Sequence, residues 1–342
     1  MILMNSDLIN KAVAMLKQEQ VKSFSLSTKI DDELLTEEEN SFDKKLSGAK
    51  SIKATMNFEI SHKIAKATGK KYDSGQGEVR IVIDLLKNEV SLEYDPLFIF
   101  GRYKKLEGGI SQSRWQCRKC DGDGCFKCDY SGKNYESVEE AIAEPFKEAS
   151  NAREFSLHAS GREDVDAMNL AGRPFVIEII QPKTRVIDLV AIAKKINEKQ
   201  KVVVEDLQFV TRPKLELVTE SHFDKEYEAD IEFSKEITKE DANKINSLAG
   251  VTLIQQTPTR VVHRRADLDR KRKVISINCT SFNGNTAKVL VLAEAGTYIK
   301  ELISGDKGRT KPSIAELLQC NAKCKQLTVT RIDDEYLKML GL

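Results

Sequence analysis

The chain has 342 residues, with 54 lysine and arginine residues against 53 aspartate and glutamate residues. This length is enough for two or three domains that each bury a core, and the near-neutral balance excludes any argument for nucleic-acid binding from overall charge. No apolar run reaches the roughly 20 residues that a membrane-spanning helix requires. The first 20 residues lack the basic start and cleavage site of a signal peptide. The sequence therefore predicts a soluble cytoplasmic protein without a membrane partner.

The first hundred residues predict a small α+β unit. Residues 6–17 carry apolar side chains at helical spacing, and the acidic stretch that follows, DDELLTEEENSFDKK, is typical of a solvated linker. Alternation of apolar and polar residues over 52–60 predicts a strand. Residues 61–71 predict a short helix that ends at Gly69. Two further strands are predicted from the segments EVRIVIDLL and EVSLEY.

Glycine-rich and polar sequence near residue 107 separates this unit from a longer α/β region. Strands are predicted there from the apolar segments PFVIEII, KVVVEDLQFV and KEYEADIEF. A helix is predicted after Asp188, and a second helix begins with a capping box formed by Thr238 and Asp241. The dipeptide at 283–284, Asn-Gly, predicts a β-hairpin. Two short helices are expected around YIKELIS and SIAELLQ.

Four of the seven cysteines fall within twelve positions, in the segment CRKCDGDGCFKC. They form two Cys-x2-Cys pairs, which consist of Cys117, Cys120, Cys125 and Cys128. Each pair can supply two thiolates to the same metal ion, and a set of four thiolates suits tetrahedral zinc. Because the protein would supply every ligand, the predicted zinc site is structural. An iron–sulfur cluster, free thiols or disulfides, and a redox pair are the alternatives.

A polar stretch with three carboxylates, HASGREDVDA, covers residues 158–167. One interpretation is a solvated loop with a surface ion pair. Another is a magnesium site formed by Asp164 and Asp166, which lie on the same face of an extended segment. The chain has neither a Walker loop nor a GxGxxG motif, so the sequence predicts no nucleotide cofactor.

The run SGREDVDA, followed eight residues after Asp164 by the segment GRPF and a strand, resembles the catalytic motif of the pseudouridine synthases. More specifically, it is similar to the archaeal and eukaryotic synthases that act on the TΨC arm of tRNA. Four further segments resemble the same family in the same order. They are PLFIFGRYKKLEGGISQSRWQCRKCDGDGC, KEYEAD, QQTPTRVVHRRADLDRKRKV and EAGTYIKELISGDKGRTKPSIAELL. The resemblance covers about residues 50–332.

The resemblance implies four catalytic residues. Asp164 matches the catalytic aspartate, and Arg162 matches the arginine beside it. Tyr227 matches the tyrosine that stacks on the target base, and Lys300 matches the basic residue of the third motif. Asp164 can attack as a nucleophile or remove a proton, and both steps stay open. Because a buried anion is costly unless it is paired, we expect Lys300 or Arg162 to keep Asp164 charged.

The resemblance also implies contacts with the substrate RNA. Ile299 matches the hydrophobic partner in the third motif, Leu327 matches the apolar residue that closes the site, and Arg173 lies in the segment that follows the catalytic motif. The densest positive cluster of the chain lies between family motifs, which predicts contacts with phosphates. Its candidate residues are Arg260, Arg264, Arg265 and Arg272.

For the fold, the resemblance implies an α/β chain of the α+β type, with the pseudouridine-synthase catalytic fold and its mixed, mostly antiparallel sheet. An N-terminal THUMP-like α+β domain and a zinc knuckle with four cysteine ligands are expected beside it. The predicted boundaries are 1–106, 107–134 and 135–342. The implied function is isomerisation of uridine 55, and of uridine 54, in the TΨC loop of tRNA. We expect a structural zinc ion, no organic cofactor and a monomer.

Two other function classes are compatible with the same residues. The first is a catalytically silent tRNA-binding protein or chaperone on the same scaffold, because the segment Cys-x2-Cys-x-Gly-x-Gly resembles the zinc knuckles of DnaJ-type chaperones. The second is a metal-dependent RNA hydrolase that uses Asp164 and Asp166. RNA cleavage and a requirement for divalent ions would distinguish the hydrolase from the isomerase.

Overall fold

The computed structural model describes residues 6–31, 51–74 and 77–342. Most of the acidic stretch that was predicted to be a linker lies outside the described residues. The chain divides into two compact units. The first contains the described residues up to Leu97 together with Phe146–Phe155 and Glu178–Ile187, and the second contains Phe98–Pro145, Ser156–Ile177 and Asp188–Leu342. The boundaries predicted from the motifs differ from this division and stay predictions.

The first unit contains a four-stranded sheet on which two helices pack. Strand β1 lies between β2 and β3 and runs parallel to both, and β3 and β4 form an antiparallel hairpin. Apolar side chains of the helices and of the sheet form one buried cluster. The elements are α1 (Ser6–Gln18), β1 (Ser23–Lys29), α2 (Ile52–Thr68), β2 (Lys71–Tyr72), β3 (Val79–Asp84) and β4 (Glu89–Tyr94).

The strand predicted over residues 52–60 was wrong, because this segment is the first half of α2. Met56, Ile60 and Ile64 lie four residues apart, and all three are buried on one face of the helix. A spacing of four satisfies both the period of a helix and the period of a strand, so the pattern over nine residues did not separate them. The helix ends as predicted at Gly69, which has a left-handed backbone with φ 71°.

The second unit contains most of a ten-stranded mixed sheet. Its strand order is β13-β10-β11-β12-β9-β14-β7-β5-β8, and β6 pairs with β7. The strands are β5 (Leu97–Lys105), β6 (Glu154–Ala159), β7 (Met168–Ile180), β8 (Val202–Val210), β9 (Lys225–Phe233), β10 (Thr252–Gln256), β11 (Asp269–Asn283), β12 (Thr286–Ala293), β13 (Thr310–Lys311) and β14 (Ala322–Ile332). Strands β7 and β14 are parallel, whereas β14 with β9, β9 with β12, and β12 with β11 are antiparallel. The predicted α+β class with a mixed sheet is confirmed.

Seven α-helices follow α2 in the described part of the chain. They are α3 (Val138–Ser150), α4 (Leu189–Asn197), α5 (Arg212–Glu220), α6 (Lys239–Asn246), α7 (Ile299–Ser304), α8 (Ile314–Leu318) and α9 (Glu335–Met339). The predicted caps are confirmed, because Asp188 accepts hydrogen bonds at the start of α4, and Thr238 and Asp241 form the capping box of α6. None of the helices described is both long enough and apolar enough to cross a membrane.

Three segments of the second unit meet beside the middle of the sheet. Strand β9 lies between β12 and β14, and it places Tyr227 opposite Val291 and Val329. The loop between β6 and β7 carries Asp164, and α7, which follows β12, carries Lys300 in its first turn. Ile299 and Ala167 belong to a large buried cluster of this unit, and Tyr227 packs against it, so a packed core supports these polar groups.

Candidate active site and cysteine cluster

The Asp164 carboxylate lies between two cations. Its Oδ1 atom is 2.6 Å from Nη1 of Arg260, and its Oδ2 atom is 3.3 Å from Nζ of Lys300. The Asp164 side chain is 30% exposed, so one side of the carboxylate is open while the other is held by charge. Of the two cations that the sequence suggested as its partner, Lys300 is in contact with it, and Arg260 is a second partner that was not expected there.

These two cations determine the ionisation of Asp164. Burial raises the pKa of this carboxyl group, but the positive charges of Arg260 and Lys300 and their hydrogen bonds outweigh burial and hold the pKa below its usual value. The carboxylate is therefore ionised at neutral pH, although it is partly removed from water. An ionised carboxylate in this position can act as a nucleophile or as a base.

Arg260 is fixed by a second carboxylate, Glu301, in the first turn of α7. Nε of Arg260 is 2.8 Å from Oε1 of Glu301, and Glu301 is buried. The Arg260 side chain was predicted to contact phosphate, but its guanidinium is shared between Asp164 and Glu301. Glu301 was missed because a glutamate in an amphipathic helix is usually exposed, and its partner lies 41 positions away in the sequence.

Lys300 also contacts Asp166, whose carboxylate is 2.6 Å from Nζ of Lys300. The ammonium group therefore lies between the carboxylates of Asp164 and Asp166, in the place that a divalent cation would take in a two-carboxylate metal site. This arrangement disfavours the predicted alternative of a magnesium site. Among the residues that the structure describes, a group of at least three possible ligands close enough to hold a metal ion occurs only at the cysteine cluster.

Tyr227 and two apolar residues form the neighbouring part of the site. Tyr227 is half-buried and packs against the same core cluster that contains Ile299 and Leu327, which are both buried. Burial raises the pKa of Tyr227 to about 12, with Arg173 opposing this effect and the carboxylates of Asp164 and Glu163 adding to it. The hydroxyl group is therefore neutral at physiological pH, so Tyr227 offers an aromatic face and an uncharged hydroxyl.

The two remaining arginines of the predicted site have other partners. Arg162 is exposed, and its guanidinium carbon lies 5.8 Å from the ring centroid of Trp115, a cation–π contact. Arg173 is 1% exposed, its Nε is 2.8 Å from Oε2 of Glu163, and its Nη1 donates to the carbonyl oxygen of Ser160. This burial disfavours the predicted contact of Arg173 with RNA, which stays a prediction.

The backbone of the Asp164 loop is held from below by Lys105, a fully buried residue at the end of β5. Its Nζ donates to the carbonyl oxygens of Ile110, Asp164 and Val165 at 2.9, 2.9 and 3.1 Å. An ammonium group has three N–H donors, so all three are used. Burial lowers the pKa of Lys105, and the nearby carboxylates oppose this without reversing it. Lys105 was missed because nothing in the sequence distinguishes it from the adjacent Lys104, which is not fully buried.

The basic cluster flanks this site on the loop after β10 and on β11. Arg265 is exposed, and its Nη1 lies 3.3 Å from the hydroxyl oxygen of Tyr298. Arg272 is half-buried, and its Nη1 donates to its neighbour's carbonyl oxygen. The side chain of Arg264 lies outside the part of the chain that the structure describes. Arg265 and Arg272 are therefore the members of the predicted set whose side chains are described without a carboxylate partner.

The four cysteines of the predicted metal site come together in the second unit. Their sulfur atoms all lie within 4.8 Å of one another, with Cys117 and Cys125 3.9 Å apart and Cys120 and Cys128 3.8 Å apart. A zinc ion about 2.3 Å from each of four sulfurs separates those sulfurs by roughly 3.8 Å in a tetrahedron. The cluster therefore has the dimensions of a tetrahedral thiolate site.

Backbone groups around the cluster favour thiolates. The amide of Gly124 lies 3.2 Å from the sulfur of Cys120, and the amide of Cys125 lies 3.1 Å from the sulfur of Cys128. Gly124 has φ 91°, and a Cβ atom there would be 2.7 Å from the carbonyl oxygen of Tyr130, so only glycine fits this turn. The donors and the dimensions both fit a metal ion, and Cys117, Cys120, Cys125 and Cys128 would hold it.

Comparison with known protein families identifies the family to which the chain belongs. A family model described as Pus10, C-terminal, matches residues 98–333. The chain belongs to the Pus10 family. A second model, described as Pus10 THUMP domain, archaeal, matches residues 8–84, so the predicted resemblance and the predicted THUMP domain are both confirmed. The first match covers the Asp164 loop, β9 and α7, which together form the candidate site.

Curated members of the Pus10 family are similar over most of the chain. A protein named tRNA pseudouridine synthase Pus10 from Methanothrix thermoacetophila is 44% identical over 82% of this chain and 63% of its own length. One with the same name from Methanocaldococcus jannaschii is 41% identical over 98% of this chain and 74% of its own length. Among solved structures, a chain of a Cbf5-Nop10-Gar1 complex is 16% identical, with a TM-score of 0.37, and covers 69% of this chain and 48% of that chain.

Proposed function

We propose that this Pus10 family member is a tRNA pseudouridine synthase that isomerises uridine 55, and uridine 54, in the TΨC loop. The observation that supports this most directly is the position of the Asp164 carboxylate between two cations, with Arg260 at 2.6 Å and Lys300 at 3.3 Å. The half-buried aromatic ring of Tyr227 belongs to the same site. The relatives named tRNA pseudouridine synthase Pus10 support the choice of tRNA as the substrate.

The reaction requires a carboxylate, and it consumes no reagent. The C1′–N1 bond of uridine breaks, the uracil turns in place, and the C1′–C5 bond forms, while the proton lost from C5 is matched by one gained at N1. Substrate and product are isomers, so the reaction consumes neither an organic cofactor nor a nucleotide. Asp164 acts first either as a nucleophile or as a base, and Arg260 and Lys300 keep it ionised for both roles.

The uracil must leave the base stack to reach Asp164. In the proposed complex, Tyr227 stacks on the extruded base and replaces part of the lost stacking energy. The Tyr227 ring packs against the core cluster that contains the buried residues Ile299 and Leu327, which excludes water from that side of the ring. Arg162 is exposed beside Trp115, where it can reach RNA rather than the carboxylate of Asp164.

We propose that the cysteine cluster holds one structural Zn²⁺ ion. Cys117, Cys120, Cys125 and Cys128 would supply all four ligands, so no coordination position is left for substrate. The ion would join the two Cys-x2-Cys turns of a segment that contains few apolar side chains of its own. Its contribution is to the fold of this segment and not to the chemical step.

The remaining predictions concern partners and organisation. The exposed guanidinium of Arg265, with Arg264 and Arg272, is proposed to contact tRNA phosphates, which fix the position of the RNA without reading its sequence. We propose that residues 1–106 act as an RNA-binding domain, that residues 107–134 form the zinc knuckle, and that residues 135–342 perform catalysis. We propose further that the protein is a monomer and that it acts on tRNA in the cytoplasm.

The test is a modification assay on an unmodified tRNA transcript without added divalent ions. We expect the wild type to convert uridine 55 and uridine 54, and we expect Asp164→Asn to bind tRNA but to form no pseudouridine. The matched control is Asp166→Asn, which removes a neighbouring carboxylate that also contacts Lys300 and should leave most activity. Cleavage of the RNA would identify a hydrolase, and binding without modification by the wild type would identify a silent RNA-binding protein.

A further inference from the structure

Beneath the Asp164 loop lies a buried ion pair that the proposed chemistry does not use. Glu163 is 7% exposed and Arg173 is 1% exposed. Oε2 of Glu163 lies 2.8 Å from Nε of Arg173. Burying two charges in this way is often no more stabilising than well-packed apolar residues of the same volume. The pair therefore calls for a role other than stability, and its position next to Asp164 in the sequence suggests one.

The pair holds the first half of the loop through hydrogen bonds to the backbone. Nη1 of Arg173 donates to the carbonyl oxygen of Ser160 at 2.8 Å. Gly161 has φ 79°, and a Cβ atom there would lie 3.0 Å from the same Nη1. The guanidinium thus lies directly against the backbone, so the position of Arg173 determines the path of the chain as it enters the loop.

Glu163 is held from its other side by a hydroxyl group. The buried hydroxyl of Tyr103 donates to the Glu163 carboxylate, 2.8 Å from Oε1 and 3.0 Å from Oε2. Nε2 of Gln112 in turn donates to the hydroxyl oxygen of Tyr103 and to the carbonyl oxygen of Gly161, both at 2.9 Å. The side chain before Asp164 is therefore fixed at both carboxylate oxygens, which fixes the rotation of the loop about that residue.

The charge of Glu163 also compensates buried cations around it. Nζ of Lys225 donates to the carbonyl oxygen of Phe223, and burial together with the charge of Arg173 lowers the pKa of Lys225 to about 8, while Asp224 and Glu163 oppose this effect. Glu163 has the same opposing effect at Lys105. Without this carboxylate, the repulsion among the positive charges of Arg173, Lys105 and Lys225 would be less compensated. We expect the loop that contains Asp164 to shift as a result.

We infer that Glu163 and Arg173 are positioning residues, which hold the loop so that the Asp164 carboxylate meets the reacting uridine in the productive geometry. The catalytic part of this inference rests on the proposed isomerase function. The structural part, that the ion pair fixes the conformation of the loop, does not depend on that function. Neither side chain touches the substrate, because both are buried. A displacement of about 1 Å in a catalytic group can cost on the order of 100-fold in rate, which sets the size of the expected effect.

The experiment compares single and paired substitutions in the full-length chain. Glu163→Gln alone leaves the Arg173 charge uncompensated and should lower both the melting temperature and kcat. Glu163→Gln with Arg173→Met removes both charges and should recover most of the melting temperature. If the pair positions the loop, kcat of the double variant should stay lower by on the order of 100-fold, while KM for tRNA stays within about threefold of the wild type.

Controls separate positioning from folding. Tyr103→Phe is a milder variant, which removes the hydroxyl that donates to Glu163 and accepts from Gln112 but leaves the charges of Glu163 and Arg173 in place; it should lower kcat with little effect on KM. Glu139→Gln changes another buried glutamate, which accepts amide hydrogen bonds from Arg114 and Leu157, and its kcat should follow its stability alone. Recovery of kcat together with the melting temperature in the double variant would overturn the inference, and so would a loss that falls mainly on KM.

A second readout does not depend on catalysis. Amide hydrogen exchange of residues 161–167 in the free protein should be faster in the double variant by about tenfold or more, whereas exchange in β9 should be unchanged. Unchanged exchange in the loop would refute the holding role even if the enzyme is active. If the wild type forms no pseudouridine but the loop exchange responds, the proposed function fails and the structural role of the pair stands.

Discussion

Arg260 connects two carboxylates of different exposure, with Nη1 2.6 Å from Asp164 and Nε 2.8 Å from Glu301. Glu301 is almost fully buried, whereas one side of Asp164 is open. Hydrogen bonds and charge from Glu301 and Asp164 outweigh burial and raise the pKa of Arg260 above its usual value. Arg260 is therefore a fixed positive charge that Glu301 orients toward Asp164. The Asp164 carboxylate is held ionised before any RNA binds.

The first prediction concerns the acid limb of the pH–rate profile. In the wild type, the cations at Asp164 hold its pKa below the usual value, so protonation of Asp164 should reduce the rate only below the usual range of a carboxyl group. Lys300→Met removes one of the two cations and leaves the effect of burial, which raises the pKa, less opposed. We expect the acid limb of kcat/KM to move upwards by about one pH unit or more.

The pH profile distinguishes this effect from a general loss of activity. Lys300→Arg keeps the positive charge and should keep the acid limb close to its wild-type position, even if kcat falls. Lys323→Met removes an exposed charge from β14 and should leave the limb where it is. An unshifted limb in Lys300→Met would mean that the charge of Lys300 does not control the ionisation of Asp164.

The second prediction separates the arginines of the basic cluster by the salt dependence of tRNA binding. Arg265 is exposed and has no carboxylate partner among the described residues, whereas Arg260 is committed to Asp164 and Glu301. Arg265→Ala should weaken binding and reduce the slope of log Kd against log salt by roughly 0.7 to 0.9, with little change in kcat. Arg260→Ala should lower kcat strongly and leave the slope nearly unchanged.

The control for charge removal is Lys194→Ala, on the exposed side of α4. It takes away one positive charge outside the cluster and should leave both the slope and kcat unchanged. A reduced slope in Arg260→Ala would mean that this arginine releases Asp164 and contacts phosphate when RNA binds. An unchanged slope in Arg265→Ala would remove that residue from the RNA interface.

The third prediction concerns the role of Tyr227. Burial raises the pKa of its hydroxyl group to about 12, so the side chain is neutral across the working pH range and is not a base there. If its role is to stack on the extruded base, Tyr227→Phe should keep most of the activity, because the aromatic face remains. Tyr227→Ala should lower kcat by roughly 5- to 150-fold, since the loss of stacking on a base costs about 1–3 kcal/mol.

Binding of tRNA provides the comparison. We expect the Kd of Tyr227→Ala for tRNA to change much less than its kcat, because most affinity comes from phosphate contacts elsewhere. Equal losses in kcat and in affinity would contradict a role specific to the extruded base. A loss of activity in Tyr227→Phe as large as in Tyr227→Ala would show that the hydroxyl group, rather than the ring, is required.

Local signals predicted several elements of the fold, and the one element that was predicted wrongly has a clear cause. The caps at Asp188 and Thr238 depend on hydrogen bonds within one turn, so the sequence carries all the information needed. The segment over 52–60 was predicted as a strand because Met56 and Ile60 fit both a strand and a helix. The segment is helical because it packs against α1 and the sheet. A short window of sequence contains no information about that packing.

The sequence predicted only those residues of the candidate site that lie in recognisable family motifs. The resemblance of the motifs indicated Asp164 and Lys300, and the structure brings these two side chains into contact although they lie in different motifs. Arg260 and Asp164 are 96 positions apart, and no local pattern indicates that they meet. Lys105 and Arg173 were equally unpredictable as buried groups, because lysine and arginine are nearly always exposed unless they are paired.

The last prediction concerns the metal content of the cysteine cluster and what the metal does. Four sulfurs at tetrahedral spacing should bind one Zn²⁺ per chain, measurable by elemental analysis of the purified protein. Cys117→Ser removes one ligand and should lower the zinc content well below one per chain. Cys279→Ser is the matched control, since this cysteine packs against the core of the second unit and is not part of the cluster.

Because the ion would be structural, its loss should act through the local fold and not through the chemical step. Cys117→Ser should therefore increase proteolysis within residues 107–134 and reduce activity only as far as this segment loses its fold. Iron in place of zinc, or a metal-free wild type with the segment still protected from protease, would refute the zinc assignment. A zinc-depleted but folded enzyme that lost only kcat would contradict the structural role, because it would mean that the ion contributes to the chemical step.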